Sequence, residues 1–286
     1  MLPLNRGELI ANDWSSRSDY AIMRAMDSAL VHPTAIIDAQ AALGERVSVG
    51  PYAVIGAQVV IGDDCHIGAH AVLEGPLRLG PRNRLGPHTI LGQPPQDHGY
   101  RGEPTELVVG SDNDFREFVT LHRASTKESG RTQIGDRNLL MAYSHVGHDS
   151  QLGSDITIAN ASQLAGHVKV ADRAYISALC GVHQFVQIGT LAMLGGGAVV
   201  TQDVAPYCMV AGNRARLRGL NSTGLRRAGI NATTRRQIKQ AYEQIFRQSQ
   251  SLQAALTSIR ADPTLAIPAI TDWLAFIENS QRGIIR

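Results

Sequence analysis

From Ile37 onward an apolar residue, usually a branched aliphatic, returns every six positions, and nothing else in the chain restricts its fold so strongly. The series passes through Leu43, Val49, Ile55, Ile61, Ile67, Leu73, Leu79, Leu85 and Leu91 without a miss. It resumes at Val109, Phe115 and Leu121, then runs from Ile134 through Leu140, Val146, Leu152, Ile158, Leu164, Val170, Ile176, Val182, Ile188, Leu194 and Val200. With 43% of residues apolar, twelve consecutive matches have a chance probability on the order of 10⁻⁵. Gly often follows the aliphatic, as in Leu43-Gly44, Ile55-Gly56 and Ile67-Gly68. This pattern predicts a mainly β chain, a left-handed parallel β-helix of hexapeptide repeats.

Three hexapeptides make one triangular coil of about 18 residues, with each aliphatic pointing inward and a small residue easing the corner. The aliphatics fill the prism, so any site is expected on an outer face or between subunits. The register breaks twice, at 92–108 and at 122–133, and both segments are polar and read as loops projecting from the prism. After Val200 the apolar spacing becomes helical, with Ile238, Ala241, Ile245 and Phe246, then Leu252, Leu256 and Ile259, then Ile270, Trp273, Leu274 and Ile277. Asn231 or Thr233 is placed to cap the first helix, and Pro263 separates the second from the third. The expected organisation is an extension over 1–30, a β-helix over 31–215 and an α-helical domain over 216–286. A solenoid end needs a cover, which is the simplest role for the helices.

A net charge of +2 gives no argument for nucleic acid, and no apolar run reaches transmembrane length. The first thirty residues lack a secretory apolar stretch, and Met26 is a plausible internal start. Cys65, Cys180 and Cys208 are too few and too scattered for a disulfide framework, so a cytoplasmic location is expected.

Five of the ten histidines fall along one edge of the prism. Counting from Leu121, whose face recurs at Val146, Leu164 and Val182, His122, His148, His167 and His183 follow successive rungs by one to three residues. His145 immediately precedes one rung. The sharpest element is HVGHD, His145 to Asp149, in which His148 offers a base and Asp149 a carboxylate to orient its ring. No serine or cysteine occupies a recognisable nucleophile elbow, which favours a substrate hydroxyl deprotonated by His148. Acyl transfer from a thioester would also need an oxyanion donor, for which the Gly166 N–H is a candidate. The same histidines leave open a metal site of the hexapeptide-repeat carbonic anhydrase kind.

From about Val31 the chain carries HPTAI, PQD…Y…GEPT, REFVTLHR, NLLMAYSHVGHD, LAGHV, GVHQF, GNRA, GLRRAG and a terminal RGIIR. In these motifs it resembles the bacterial UDP-N-acetylglucosamine O-acyltransferases that begin lipid A and hence lipopolysaccharide biosynthesis. The resemblance implies a cytoplasmic homotrimer with active sites between prisms and without an integral membrane segment, metal or nucleic acid. It implies transfer of a 3-hydroxyacyl group from acyl carrier protein, whose thioester is the co-substrate and stands in place of any cofactor, to the 3-hydroxyl of a UDP-sugar. Carried onto this sequence, it implies His148 as general base oriented by Asp149. His122, His145, Gly166, His167, His183 and Gln184 would line the cleft, Asp97 would contact the sugar, and Asn221 and Arg227 would lie near the nucleotide. Gly196 would set acyl length. Laid along the coils, the tail would run about 13 Å between the rungs Val146 and Leu194.

The chain departs from the family pattern mainly on the acceptor side. Gly99 stands where a lysine usually follows the loop aspartate, Thr223 replaces a glutamate, Ala228 replaces an arginine, and Arg214 stands where His or Lys is common. A paralogue acting on another nucleotide sugar, or a non-catalytic scaffold, therefore remains an alternative. Arg226, Arg227, Arg235, Arg236 and Lys239 form a basic run suited to phosphates or to an acidic carrier protein, or to a solvated helix face.

Overall fold

The computed structural model describes residues 31–248 and 251–286; the extension 1–30, with its Met26 start, lies outside the described residues. Strands of two to five residues form three parallel stacks of nine, eight and ten, the last closing with one antiparallel strand. The chain visits the faces in rotation and returns to each after one coil, pairing Ile37 with Ile55, Leu43 with Ile61 and Val49 with Ile67. The result is a three-sided, left-handed parallel β-helix.

The rungs fill the prism. Ile55, Ile61, Ile67, Leu73, Leu85, Leu91, Leu121 and Leu140 are each no more than 1% exposed, and burying one such side chain contributes about 1.5–3 kcal/mol. Most corners carry a residue in the left-handed region, such as Arg46 (φ 55°), His70 (φ 57°) and Asp149 (φ 62°). Such backbone is costly for L-residues, and coil-to-coil hydrogen bonds at most corners hold it in place, as from His167 N–H to His148 O at 2.9 Å.

The three edges differ in chemistry. Between the second and third faces, Arg46–Asp64, Arg82–Asp112 and Arg137–Asp155 form forked ion pairs down the stack. Between the third and first faces, the rings of Tyr52, His70, His88, Phe118 and Tyr143 stack 4.7–5.1 Å apart. The edge between the first and second faces holds the five histidines and both insertions. The first insertion joins strand Ile90–Gln93 to Glu106–Val109, and the second joins Thr120–His122 to Arg131–Ile134. The irregular segments are thus 94–105 and 123–130, shorter than 92–108 and 122–133, because the ladder continues past the last inward rung.

The second insertion projects only in part: residues 126–129 are exposed, while its start is anchored on the prism. Ala124 and Ser125 are at most 3% exposed. Arg123, 8% exposed, donates through Nη1 to Gly92 O (2.7 Å) and Gly75 O (3.2 Å) and lies over the Tyr100 ring of the first insertion. Polarity suggested solvent, but the groups that satisfy these side chains come from other coils.

Strand Arg216–Leu220 pairs antiparallel with Cys208–Ala211, so sheet continues past 215 and the helices begin at Ser222. They span Ser222–Arg227, Ala232–Phe246, Leu252–Ala261 and Pro268–Glu278, with a 3₁₀ turn at Pro263–Leu265. Asn231 caps the second by accepting from Thr234 N–H at 2.9 Å. Fully buried Trp273 packs with Ile238, Leu265 and Ile270 over Leu191, Ala205 and Tyr207 of the final coils. Buried Asp203 secures the C-terminal end, accepting from Gln187 N–H (2.8 Å) and Ser280 Oγ–H (2.6 Å). Cys65, Cys180 and Cys208 are free and buried.

Candidate active site

Strand register fixes where each histidine stands. Leu121, Val146, Leu164 and Val182 stack in successive coils, so His122 and His183 share one corner slot with Gly147 and Ala165. His148, Gly166 and Gln184 share the next slot, and Asp149, His167 and Phe185 the third. The histidines therefore occupy neighbouring columns of one edge.

His148 Nδ1–H donates to Asp149 Oδ2 at 2.7 Å. The carboxylate accepts only, so the contact places the proton on Nδ1 and leaves Nε2 with its lone pair. Asp149 is 0% exposed, and its Oδ2 also accepts from Ser125 N–H (3.0 Å) and Oγ–H (2.8 Å). Burial pushes the Asp149 carboxyl up, but the hydrogen bonds from His148 and Ser125, with the charge of His167, outweigh it and hold the carboxyl below its ordinary value. Asp149 N–H donates to buried Thr132 Oγ1 at 2.8 Å, fixing the corner from behind.

Gly166 is required by this ring. A Cβ there would come within 2.8 Å of His148 Cε1 and 2.9 Å of Nε2, because the imidazole leans over the equivalent slot of the next coil. Among the described residues the Gly166 N–H lies outside the coil-to-coil ladder, free to serve as a donor beside the base.

His167, 5% exposed, donates from Nδ1 to Glu128 Oε1 at 2.9 Å and lies 3.7 Å through Nε2 from Asp149 Oδ2. Its ring stacks on Phe185 at 4.4 Å. His122 Nδ1–H donates to Pro94 O at 2.6 Å, and His145 Nδ1 meets Thr120 Oγ1 at 2.8 Å. Burial, then the neighbouring His122 and His148, push His145 down to about 4, and burial also lowers His122. Both rings are therefore neutral near pH 7.

Asp97 lies in the first insertion, where Lys127 Nζ approaches its Oδ2 to 2.6 Å and Gly99 N–H donates to Oδ1 at 2.8 Å. The ammonium, then the Gly99 hydrogen bond, hold this carboxyl below its ordinary range despite some burial, and the charge of His148 adds to the effect. Ser125, Lys127 and Glu128 had no periodic signal, since they sit in the loop that breaks the repeat. Among the described residues, His148, Asp149 and His167 also form a group whose ligand atoms lie within 4.8 Å of one another.

Other expected residues lie elsewhere in the chain. His183 and Gln184 are exposed further along the same edge. Asn221 is 7% exposed and caps the first helix: its Oδ1 accepts from Gly224 N–H and its Nδ2 donates to Leu191 O, both at 2.9 Å. Leu191 is on the second-to-third edge, so Asn221 is not brought to His148 within one chain; Arg227 is exposed six residues beyond it. Gly196 follows strand Met193–Leu194 of the third face. The 13 Å path along the coils therefore fails within one chain: from Val146 to Leu194 the helix turns through a fractional coil onto another face.

A family model described as "Bacterial transferase hexapeptide (six repeats)" matches residues 41–75, and another, "Udp N-acetylglucosamine O-acyltransferase; Domain 2", matches residues 203–285. An acyl-[acyl-carrier-protein]–UDP-N-acetylglucosamine O-acyltransferase from Alkalilimnicola ehrlichii is 52% identical over 256 residues, covering 90% of this chain and 99% of the relative. One from Paraburkholderia phymatum is 46% identical over 262 residues, with the same coverage. Among solved structures, a UDP-N-acetylglucosamine acyltransferase from Bacteroides fragilis superposes with a TM-score of 0.87 at 36% identity, covering 89% of this chain and 99% of that one. These similarities, spanning the prism, the histidine edge and the helical end, place the chain in the UDP-N-acetylglucosamine O-acyltransferase family.

Proposed function

We propose that the chain transfers a 3-hydroxyacyl group from acyl carrier protein to the 3-hydroxyl of UDP-N-acetylglucosamine, the first step of lipid A biosynthesis, with His148 as general base. The observation that carries this reading is the 2.7 Å contact between His148 Nδ1 and a carboxylate wholly withdrawn from solvent. It leaves Nε2 as the basic atom on an edge reachable by substrate.

In the reaction, Nε2 takes the acceptor hydroxyl proton as the oxygen attacks the thioester carbonyl. Asp149 stabilises the resulting imidazolium, while neutral His122 and His145 add no competing charge. The Gly166 N–H donates to the carbonyl oxygen as it becomes an oxyanion. Collapse breaks the C–S bond, leaves an oxygen ester, and returns the proton from Nε2 to the departing thiolate. No cofactor enters this balance. Asp97 contacts the sugar, His167, His183 and Gln184 line the cleft, and Asn221 and Arg227 act at the nucleotide, where a guanidinium suits a diphosphate. Gly196 limits acyl length.

The placement of Asn221 and Gly196 on other edges supports a homotrimer in which each cleft draws on two prisms. A cytoplasmic location accords with three free, buried cysteines, and among the described residues no helix is long and apolar enough to cross a membrane. The decisive assay supplies a 3-hydroxyacyl carrier protein and UDP-N-acetylglucosamine. His148→Ala should lower kcat by at least 10² with oligomeric state retained; unchanged turnover would remove His148 as base. The His148–Asp149–His167 group favours a second reading, a metal site. Stoichiometric metal whose removal abolishes and whose return restores turnover would establish that reading instead.

A further inference from the structure

The second insertion touches the cleft at three points: Ser125 on Asp149, Lys127 on Asp97 and Glu128 on His167. Ser125 and Glu128 support groups already engaged with His148, whereas Lys127 adds a charge of its own. Its side chain is 58% exposed, while that of Asp97 is 13% exposed. Asp97 Oδ2 is sealed from bulk solvent and is held in an ion pair by the Lys127 ammonium at 2.6 Å. The ammonium has N–H donors to spare. The pair therefore presents an exposed donor whose charge is balanced by the carboxylate behind it, which suits an uncharged hydroxyl or amide oxygen and poorly suits a diphosphate.

We propose that Lys127 is an acceptor-positioning residue: anchored by Asp97, its ammonium binds a polar oxygen on the sugar portion of the nucleotide-sugar acceptor and so sets the distance of the reacting hydroxyl from His148 Nε2. The proposal rests on the acyl-transfer reading above. It also accounts for Gly99, because the cation beside Asp97 comes from the other insertion. A side chain at 99 is sterically admissible: its Cβ would meet only the Asp97 carboxylate, at 3.2 Å and beyond.

The test compares the full-length wild type, Lys127→Met and the double variant Lys127→Met/Gly99→Lys, using 3-hydroxyacyl carrier protein and UDP-N-acetylglucosamine. Lys127→Met should raise the acceptor KM at least tenfold and keep the donor KM within twofold, and lysine at 99 should recover part of the loss. By calorimetry the variant should bind UDP-N-acetylglucosamine more weakly and UDP as before. An acceptor KM within twofold of wild type overturns this inference while the acyl-transfer reading stands, and so does an equal loss of UDP affinity. Failure of the wild type to turn over this substrate pair overturns both.

Discussion

Asp149 shows how a corner of the β-helix can orient a neighbouring imidazole. The left-handed backbone, here at φ 62°, recurs at most corners, but at Asp149 it presents a carboxylate sideways to the ring of the preceding residue. A buried charge without partners would be expelled or protonated; three hydrogen-bond donors on Oδ2 keep it ionised. Asp149→Asn keeps the shape and removes the charge that stabilises the imidazolium. The expected result is a fall in kcat of about 10² or more with a small change in acceptor KM, measured by steady-state kinetics. His145 gives a stability prediction at the same scale. Its folded value of about 4 lies below the ordinary 6.5, so between these values the unfolded chain holds the proton that the folded chain refuses. Stability is therefore fully present above pH 6.5 and is lost as pH falls toward 4. At about 1.4 kcal/mol per unit, His145→Gln should shrink the difference in unfolding free energy between pH 7 and 4.5 by roughly 2–3 kcal/mol. Urea titrations at the two pH values measure it; an undiminished difference would show that burial of His145 does not drive the acid sensitivity.

The two insertions work together through Arg123, whose guanidinium bonds the backbone at Gly92 and Gly75 and covers Tyr100. Arg123→Met keeps much of the side-chain volume and leaves two carbonyls without this donor, so a loss of about 1–3 kcal/mol is expected. Limited proteolysis should then cut between 94 and 105 while the prism stays intact; protection equal to wild type would show that Arg123 does not hold the first insertion. This element also marks where sequence legibility stops. The six-residue register was sufficient to place every rung and to bring His148, Gly166 and Gln184 to one slot, because their neighbours are fixed by counting. The contacts of Arg123, Ser125, Lys127 and Glu128 are not periodic and join residues 23 to 48 positions apart. Polarity alone predicted a projecting loop, which residues 126–129 form, but not the buried anchors at 123–125. Asn221 shows the same limit: its capping of the Ser222 helix is local, but its bond to Leu191 O is not.

For the whole molecule, the edges determine which parts of a cleft one chain can supply. His148 stands between the first and second faces, while Gly196 follows the third and lies away from its own chain's His148 edge. If Gly196 limits acyl length, it acts on the base of a neighbour. A side chain at 196 is tolerated, since its Cβ would meet only Ala178 O at 3.7 Å, so Gly196→Met should fold and shift preference to shorter acyl groups. Co-assembly with His148→Ala then separates the two arrangements. In a random equal mixture only the Gly196→Met chains carry a base, and in a closed ring about half of those bases face a neighbour with Gly196. Long-chain turnover, absent from either variant alone, should reappear at about half of the competent sites. Products that stay short in the mixed assembly would place the length-setting residue in the same chain as the base, and the cleft would then belong to a single prism.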